Sequence, residues 1–84
     1  LLGKGASMHF EKGQRVVVVN LFYGYKTEGE VVSASANIFR VKFKARVGGG
    51  FDERLFGQAT QVERNTGGTA TKHLLYTVRR KQNG

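Results

Sequence analysis

The sequence predicts a small all-β domain, a strongly bent antiparallel barrel of five strands, and three observations support this fold class. Val, Ile, Phe, Tyr and Thr, which favour strands, dominate the apolar positions. No window keeps an apolar stripe at helical spacing for three turns. Glycine is frequent, with 12 in 84 residues, and marks the turns between short strands. A chain of this length forms one domain with a thin core.

The first three strands follow from apolar runs and from alternation. Arg15 to Asn20 contains four consecutive valines, and such a run indicates a strand that is covered on both faces or curled across a barrel. Glu28 to Ala36 is predicted as the second strand, with a tight turn at Asn37, and Ile38 to Val47 as the third. The second and third strands are expected to form a hairpin.

Turn residues divide the second half of the chain. The three glycines at 48–50 are predicted to form a loop tip, because glycines in a strand cost entropy and pack nothing. Phe51 to Phe56 and Gln58 to Glu63 are predicted as one or two short strands, with a bend at Gly57 between them. His73 to Arg80 fits a closing strand better than a single helical turn.

Alternation along these strands also predicts the core. Both alternations of the valine run are possible, since its apolar residues are consecutive, and we assign the odd-numbered valines inward. The expected core residues are Val17, Val19, Val31, Phe39, Val41, Phe43, Leu55, Val62 and Leu75.

Few residues of the chain suit catalysis or metal binding. There is no cysteine and there are only two histidines, so thiolate chemistry is excluded and a zinc site would need carboxylates that the chain mostly lacks. Asp52 and Glu53 are adjacent in a strand and point to opposite faces, so they cannot converge on one substrate. His73 is expected to be structural. We therefore expect no enzyme activity, no cofactor and no metal.

The chain is expected to have three parts. Residues 1–7 precede Met8 and are expected to be a tag, residues 8–78 form the barrel domain, and residues 79–84 form a basic, solvated C-terminal tail. No apolar run approaches the roughly 20 residues that span a bilayer, and no apolar leader with a cleavage site opens the chain. We therefore expect a cytoplasmic protein that contacts no membrane.

The third strand carries the strongest functional signal in this basic chain, whose formal net charge is +8. The period of two places four cations on one face, namely Arg40, Lys42, Lys44 and Arg46. Same-face residues lie roughly 6.5 to 7 Å apart along a strand, which suits contact with successive phosphates of a nucleic acid. The alternative is an ordinary solvated face. Glu28 and Glu30 on the second strand would neutralise part of the row if they point the same way.

The loop after the first strand sets aromatic residues beside a cation. Exposed rings of Tyr23 and Tyr25 would stack on unpaired bases, and Lys26 would add attraction for phosphate. The same loop would also suit a methylated lysine or a peptide. In the remaining alternative, Phe22 and Tyr25 plug the end of the barrel.

The first third of the chain contains two spaced motifs, Gly13-x-x-Val16-x-Val18 and Gly24-x-Lys26-x-x-Gly29-x-Val31. Together they resemble the KOW-type opening of small SH3-like barrels in ribosomal and transcription-elongation proteins. The loop glycine of the second motif falls a few places late, and Gln14 stands where the family has an acidic residue. The segment from Phe56 to Gly67 is similar to short phage or bacterial SH3-like barrels of unassigned function. These resemblances imply an SH3-like barrel, and the KOW-type motif implies RNA binding.

We therefore expect a non-catalytic nucleic-acid-binding module whose partner is DNA or RNA. The basic tail adds two cations for non-specific contacts with phosphate. The expected binding residues are Arg40, Lys42, Lys44, Arg46, Tyr23, Tyr25, Lys26, Arg79 and Arg80. The alternative is a protein-interaction adaptor, such as a phage or bacterial factor that docks on a host protein through the aromatic loop, with an acidic protein surface as the partner.

Overall fold

The computed structural model describes residues 9–46, 48–64 and 76–81. These residues form one antiparallel sheet that curls into a half-barrel, with no helix in the described ranges. The strands are β1 (Arg15–Asn20), β2 (Lys26–Ala34), β3 (Ile38–Lys44), β4 (Phe51–Gly57) and β5 (Tyr76–Arg80). Their spatial order is β4-β3-β2-β1-β5. The predicted all-β class with five antiparallel strands is confirmed, and the curled sheet is compatible with an SH3-like barrel.

The strand bounds differ from the predicted ones at several ends. β1 has its predicted bounds, whereas β2 begins two residues early because Lys26 still pairs with Val19 of β1. β3 ends at Lys44 because the N–H of Ala45 donates to the carbonyl of Gly50, which closes the turn before β4. The part of the predicted closing strand before Tyr76 lies outside the described residues.

The segment after β4 connects the two edges of the sheet. β4 ends at Gly57, and residues 58–64 form two isolated bridges, Phe56 with Glu63 and Val62 with Thr77, in place of the predicted second short strand. The turn is tight, with Gln61 at a positive φ of 61°. The carbonyl of Gln61 accepts hydrogen bonds from the N–H of Val78 and the hydroxyl of Thr77. This segment therefore links β4 to β5 across the half-barrel.

The core covers the inner face of the sheet, and the opposite, outer face is exposed to solvent. Three rings stack at its centre: the Phe39 ring lies 4.6 Å from the Phe10 ring and 5.6 Å from the Phe56 ring, measured between centroids. Phe10 precedes β1 and packs across the sheet. The buried cluster consists of Phe10, Val16, Val18, Val31, Phe39, Val41, Phe43, Phe56, Tyr76 and Val78.

The predicted inward position of Val17 is wrong, because the valine run alternates the other way. Val16 and Val18 are buried in the core, and Val17 is half-buried on the outer face. Val16 lies opposite Gly29, and Val18 lies opposite Val78 of β5.

The other core predictions have mixed outcomes. Four are confirmed in the core cluster: Val31, Phe39, Val41 and Phe43. Val19 is also buried, although it lies outside that cluster. Leu55 and Val62 are half-buried, since β4 turns Leu55 outward and Val62 lies in the connecting segment, and Leu75 lies outside the described residues. No helix in the described part of the chain has the length and apolarity needed to cross a membrane.

Candidate nucleic-acid interface

β3 places three of the predicted cations on the outer face. Their exposed positions alternate with buried apolar residues along the strand, as the sequence predicts. The three exposed cations are Arg40, Lys42 and Lys44, and the buried residues between them are Phe39, Val41 and Phe43. Arg46 is also exposed but lies beyond the end of β3. The row on the strand is therefore three cations long.

Acidic residues lie on both sides of the middle of this row. Lys42 is directly opposite Glu30 of β2 and directly opposite Glu53 of β4. All three positions are exposed on the same face, and opposite charges at directly paired positions attract each other. The glutamates of the neighbouring strands therefore compensate part of the positive charge at Lys42, which is the outcome that the sequence left open.

The two ends of the row differ in their surroundings. Arg40 lies opposite Ser33 and Leu55, which are uncharged, and Lys44 lies opposite Phe51 of β4. On the β2 side the register pairs Gly29 with Phe43, so Glu28 follows beside Lys44, and both line one depression. Arg40 therefore presents its charge to solvent with less compensation than Lys42, whereas Lys44 has an acidic neighbour on one side.

Glu28, the other acidic residue of β2, is exposed on the same outer face as Glu30 and lines a shallow depression together with Lys44 and Phe51. Its carboxylate accepts a hydrogen bond from the ammonium of Lys81, and the two groups form a salt bridge. The hydrogen bond with Lys81 and its positive charge, together with the charge of Arg15, lower the pKa of Glu28. Glu28 is thus paired with Lys81 and also lies beside Lys44 at the end of the row on β3.

Phe51 is an exposed aromatic residue outside the set of predicted binding residues. Its side chain is 66% exposed, and the ammonium of Lys42 lies 5.0 Å from its ring centroid. The ring borders a shallow depression of about 270 Å³ that is also lined by Lys42, Lys44, Glu28 and Glu30. The exposure of Phe51 could have been predicted, because alternation along β4 places Phe51, Glu53 and Leu55 on the outer face.

The loop between β1 and β2 exposes three apolar side chains in an ordered backbone. Leu21, Phe22 and Tyr23 are 51%, 62% and 60% exposed. The buried side chain of Asn20 organises the loop, because its Oδ1 accepts hydrogen bonds from the N–H of Phe22 at 3.0 Å and of Tyr23 at 2.6 Å. The carbonyl of Asn20 also accepts from the N–H of Gly24, whose φ of 81° suits glycine.

The rings of this loop connect the core to the cation row. Tyr25 is half-buried against the core, and the Tyr23 ring lies 6.2 Å from the Tyr25 ring at an interplanar angle of 20°. The guanidinium of Arg46 lies 4.8 Å from the centroid of the Tyr25 ring. The loop therefore combines both interpretations of the sequence: Tyr25 packs against the core, and Tyr23 is exposed.

The remaining predicted binding residues lie apart from one another. Lys26 is exposed at the start of β2, at the end of the sheet where β3 ends. Arg79 lies opposite Val17 on the outer face, with β1 and β2 between it and β3. Arg80 contacts the inner side, where its guanidinium lies 5.2 Å from the Phe10 ring centroid. Both arginines are the last residues of β5.

A polar cluster next to Tyr25 was also not predicted from the sequence. The guanidinium of Arg54 lies 3.7 Å from the Glu63 carboxylate and 5.7 Å from the centroid of the Tyr76 ring, and the hydroxyl of Tyr76 lies 3.3 Å from that of Tyr25. Burial raises the pKa of Glu63, against the opposing effect of Arg54. Arg54 lies opposite the buried Val41 and points inward, which the alternation of residues along β4 could have predicted. The cluster contacts Tyr25 through the hydroxyl of Tyr76.

We expect a tyrosine to ionise late in this cluster. Burial of Tyr76 and its hydrogen bond with Tyr25 raise the pKa of Tyr76 to about 12. Because the folded-state pKa lies above the value of about 10 in the unfolded chain, the contribution to stability is complete below pH 10 and is lost as the pH rises towards 12. Tyrosinate absorbance against pH measures the late step, which Tyr76→Phe should remove and Tyr23→Phe should keep. A late step in Tyr76→Phe would contradict the assignment.

Arg40, Lys44, Arg46, Tyr25 and Tyr23 form what we call the basic-aromatic strip, which runs along β3 and onto the loop after β1. In the described part of the chain, no three His, Asp or Glu side chains gather in a way that could hold a metal ion. Comparisons with models of protein families, with curated proteins and with solved structures give no match for this chain.

Proposed function

We propose that this chain is a non-catalytic module that binds nucleic acid through the basic-aromatic strip. The observation that carries the proposal is the contact between Arg46 and Tyr25, with 4.8 Å between the guanidinium and the ring centroid. This contact brings the cation that follows the row on β3 to the aromatic loop, so that charges for phosphates and rings for bases meet at one end of the sheet. Clustered cations interleaved with exposed rings are the combination that nucleic-acid-binding surfaces use.

The net charge and the strand geometry support the proposal. A formal charge of +8 attracts a polyanion over long distances at low ionic strength. Arg40 has uncharged cross-strand partners on both sides, Lys44 lies opposite Phe51 of β4, and Arg46 continues from them towards the loop. We assign phosphate contacts to these three residues. Lys42 contributes less, because Glu30 and Glu53 flank it.

The KOW-type resemblance adds to the proposal, and its glycines have structural roles in this sheet. A Cβ at Gly29 would lie 2.9 Å from Cγ1 of Val41 and 3.1 Å from Cγ2 of Val18, so this glycine permits close packing inside the curled sheet. Gly24 supplies the positive φ of the loop. We propose that the motif sets the shape of β1, β2 and the loop between them, and that RNA is among the ligands, as in the family it resembles.

A second candidate function is a protein-interaction adaptor, which the exposed loop favours. Leu21 and Phe22 are apolar and more than half exposed next to Tyr23. Exposed aromatic residues also serve as anchors in protein interfaces. An adaptor anchored by these rings would bind with little dependence on salt, whereas a phosphate-binding strip would depend on it strongly.

The salt dependence of binding tests the proposed function. Three phosphate contacts predict that log affinity falls with log salt at a slope of about −2.1 for a single strand or about −2.7 for a duplex. Lys44→Gln should flatten this slope by about 0.7 to 0.9, because one counterion fewer is displaced. The measurement is a titration of short labelled DNA and RNA oligonucleotides at several salt concentrations.

Arg80→Gln is the matched control for this titration. It removes one positive charge, as Lys44→Gln does, from a guanidinium that contacts Phe10 instead of the strip. Its slope should stay close to that of the parent protein. Equal flattening in both variants would mean that only net charge matters, and absence of binding at low salt would disprove the proposed function and leave the adaptor.

A further inference from the structure

We infer that the ligand of the strip is single-stranded nucleic acid, with bases stacked on Tyr23 and Phe51 and the backbone held by Lys44 and Arg46; this inference rests on the proposed function. Single strands offer unpaired bases for stacking, and duplexes do not. Three features of the end of the sheet where β3 ends support the inference: two exposed rings, the cations between them, and the narrow width of the positive surface.

The two exposed rings flank the cations at one end of the sheet. Phe51 lies directly opposite Lys44 on the β4 side. Tyr23 lies on the other side, on the ring of Tyr25, which in turn contacts the guanidinium of Arg46. Around this end of the sheet, Phe51 and Lys44 are thus followed by Arg46, which lies on Tyr25, and then by Tyr23. If the phosphates of a single-stranded nucleic acid lie on these cations, its bases can turn towards either ring.

The ring of Tyr23 is held in place before any ligand binds. The Asn20 carboxamide fixes the backbone N–H of Tyr23, and the Tyr23 ring lies over the half-buried ring of Tyr25. The hydroxyl of Tyr25 is in turn 3.3 Å from that of Tyr76, a core residue. A fixed ring loses little conformational entropy when a base stacks on it, which favours binding.

The positive surface is too narrow for the two backbones of a duplex. Neighbouring strands lie about 4.8 Å apart, and the strands on both sides of β3 place Glu30 and Glu53 on the outer face beside Lys42. A second phosphate backbone beside the first would therefore meet carboxylates. A single backbone that passes Lys44 and then Arg46 lies beyond Glu30 and Glu53 and borders Glu28 on one side. Charge complementarity thus favours one strand over two.

Three oligonucleotide probes of equal length separate stacking from charge. They are a single strand of roughly 12 nucleotides, within the site sizes of small single-strand-binding domains, the matching duplex, and an abasic strand with the same phosphates and no bases. Anisotropy titrations at low salt should show the base-bearing strand binding roughly 5- to 150-fold more tightly than the abasic strand for each stacked base. The duplex should bind more weakly than the single strand.

Variants at Tyr23 test the ring directly. Tyr23→Ala should weaken binding of the base-bearing strand by roughly 5- to 150-fold and leave the abasic strand unchanged, because only the stacking surface is lost. Tyr23→Phe keeps the ring and should keep the affinity. Phe51→Ala provides a second, independent loss of stacking. Lys44→Gln should weaken both strands alike, since it removes a phosphate contact.

The outcomes separate this inference from the proposed function. If the duplex binds as tightly as the single strand, or if Tyr23→Ala and Phe51→Ala bind the base-bearing strand like the parent protein, the single-strand inference is wrong and nucleic-acid binding stands. If none of the three probes binds, the proposed function itself fails. Circular dichroism of each variant establishes that it is folded, which we expect because both rings are exposed.

Discussion

Phe39→Ala is expected to lower the free energy of unfolding by about 3 to 5 kcal/mol, the usual cost of truncating a fully buried phenylalanine. The Phe39 ring is buried and lies between the rings of Phe10 and Phe56, so its removal leaves a cavity and breaks two stacking contacts. In a domain of 84 residues this is a large part of the total stability. Urea unfolding followed by tyrosine fluorescence or circular dichroism measures the loss.

Arg40→Ala is the matched control, since Arg40 is the next residue on β3 and points to the outer face. We expect it to change stability by no more than about 0.5 kcal/mol, as at most exposed positions. If Phe39→Ala is too unstable to measure, Phe39→Leu retains more of the core volume and should give a smaller loss. Similar losses in Phe39→Ala and Arg40→Ala would show that the two faces of β3 are assigned wrongly.

The faces of β3 could be predicted from the sequence because alternation is a local property. Phe39, Val41 and Phe43 alternate with cations without exception, so only one face of that strand can join a core. The same local pattern placed Arg40, Lys42 and Lys44 together on the outer face. The tight turn at Asn37 and the glycines at 48–50 then fixed which strands neighbour it.

The valine run shows where local patterns fail. Four consecutive valines are compatible with either alternation, so the choice depends on which residues the neighbouring strands present. Gly29 of β2 has no side chain and lies opposite Val16, and Val78 of β5 lies opposite Val18. Those pairings bury the even-numbered valines. Such information lies in strand register between distant segments and not in the run itself.

The candidate site was predictable in its parts but not in its assembly. The cation row and the aromatic loop were visible in the sequence, whereas the flanking of Lys42 by Glu30 and Glu53 requires the register of three strands. The contact of Arg46 with Tyr25 depends on where β3 ends. Both contacts change the functional interpretation. The glutamates compensate the positive charge of Lys42 in the middle of the row, and the contact of Arg46 with Tyr25 joins the end of the row to the loop.

Gln58→Ala is the other substitution with a large expected effect, a loss of about 2 to 4 kcal/mol in the free energy of unfolding. The buried side chain of Gln58 holds the segment before β1, as its Oε1 accepts from the N–H of Phe10 at 2.8 Å. Its Nε2 donates to the carbonyls of Phe10 at 2.8 Å and Ser35 at 3.1 Å. Each buried backbone group left without a partner costs about 1 to 3 kcal/mol.

Gln14→Ala provides the matched control for Gln58→Ala, because it removes the same side chain from a place that water can reach. The Oε1 of Gln14 accepts a single exposed hydrogen bond, from the N–H of Glu11 at 3.1 Å, so we expect a change of no more than about 0.5 kcal/mol.

A double-mutant cycle with Phe10→Ala adds a sharper test. If Gln58 acts by docking Phe10, the effect of Gln58→Ala should shrink when Phe10 is already truncated, because less is gained by holding that segment. Strictly additive effects would show that Gln58 stabilises the turn after β4 by itself, through the carbonyl of Ser35.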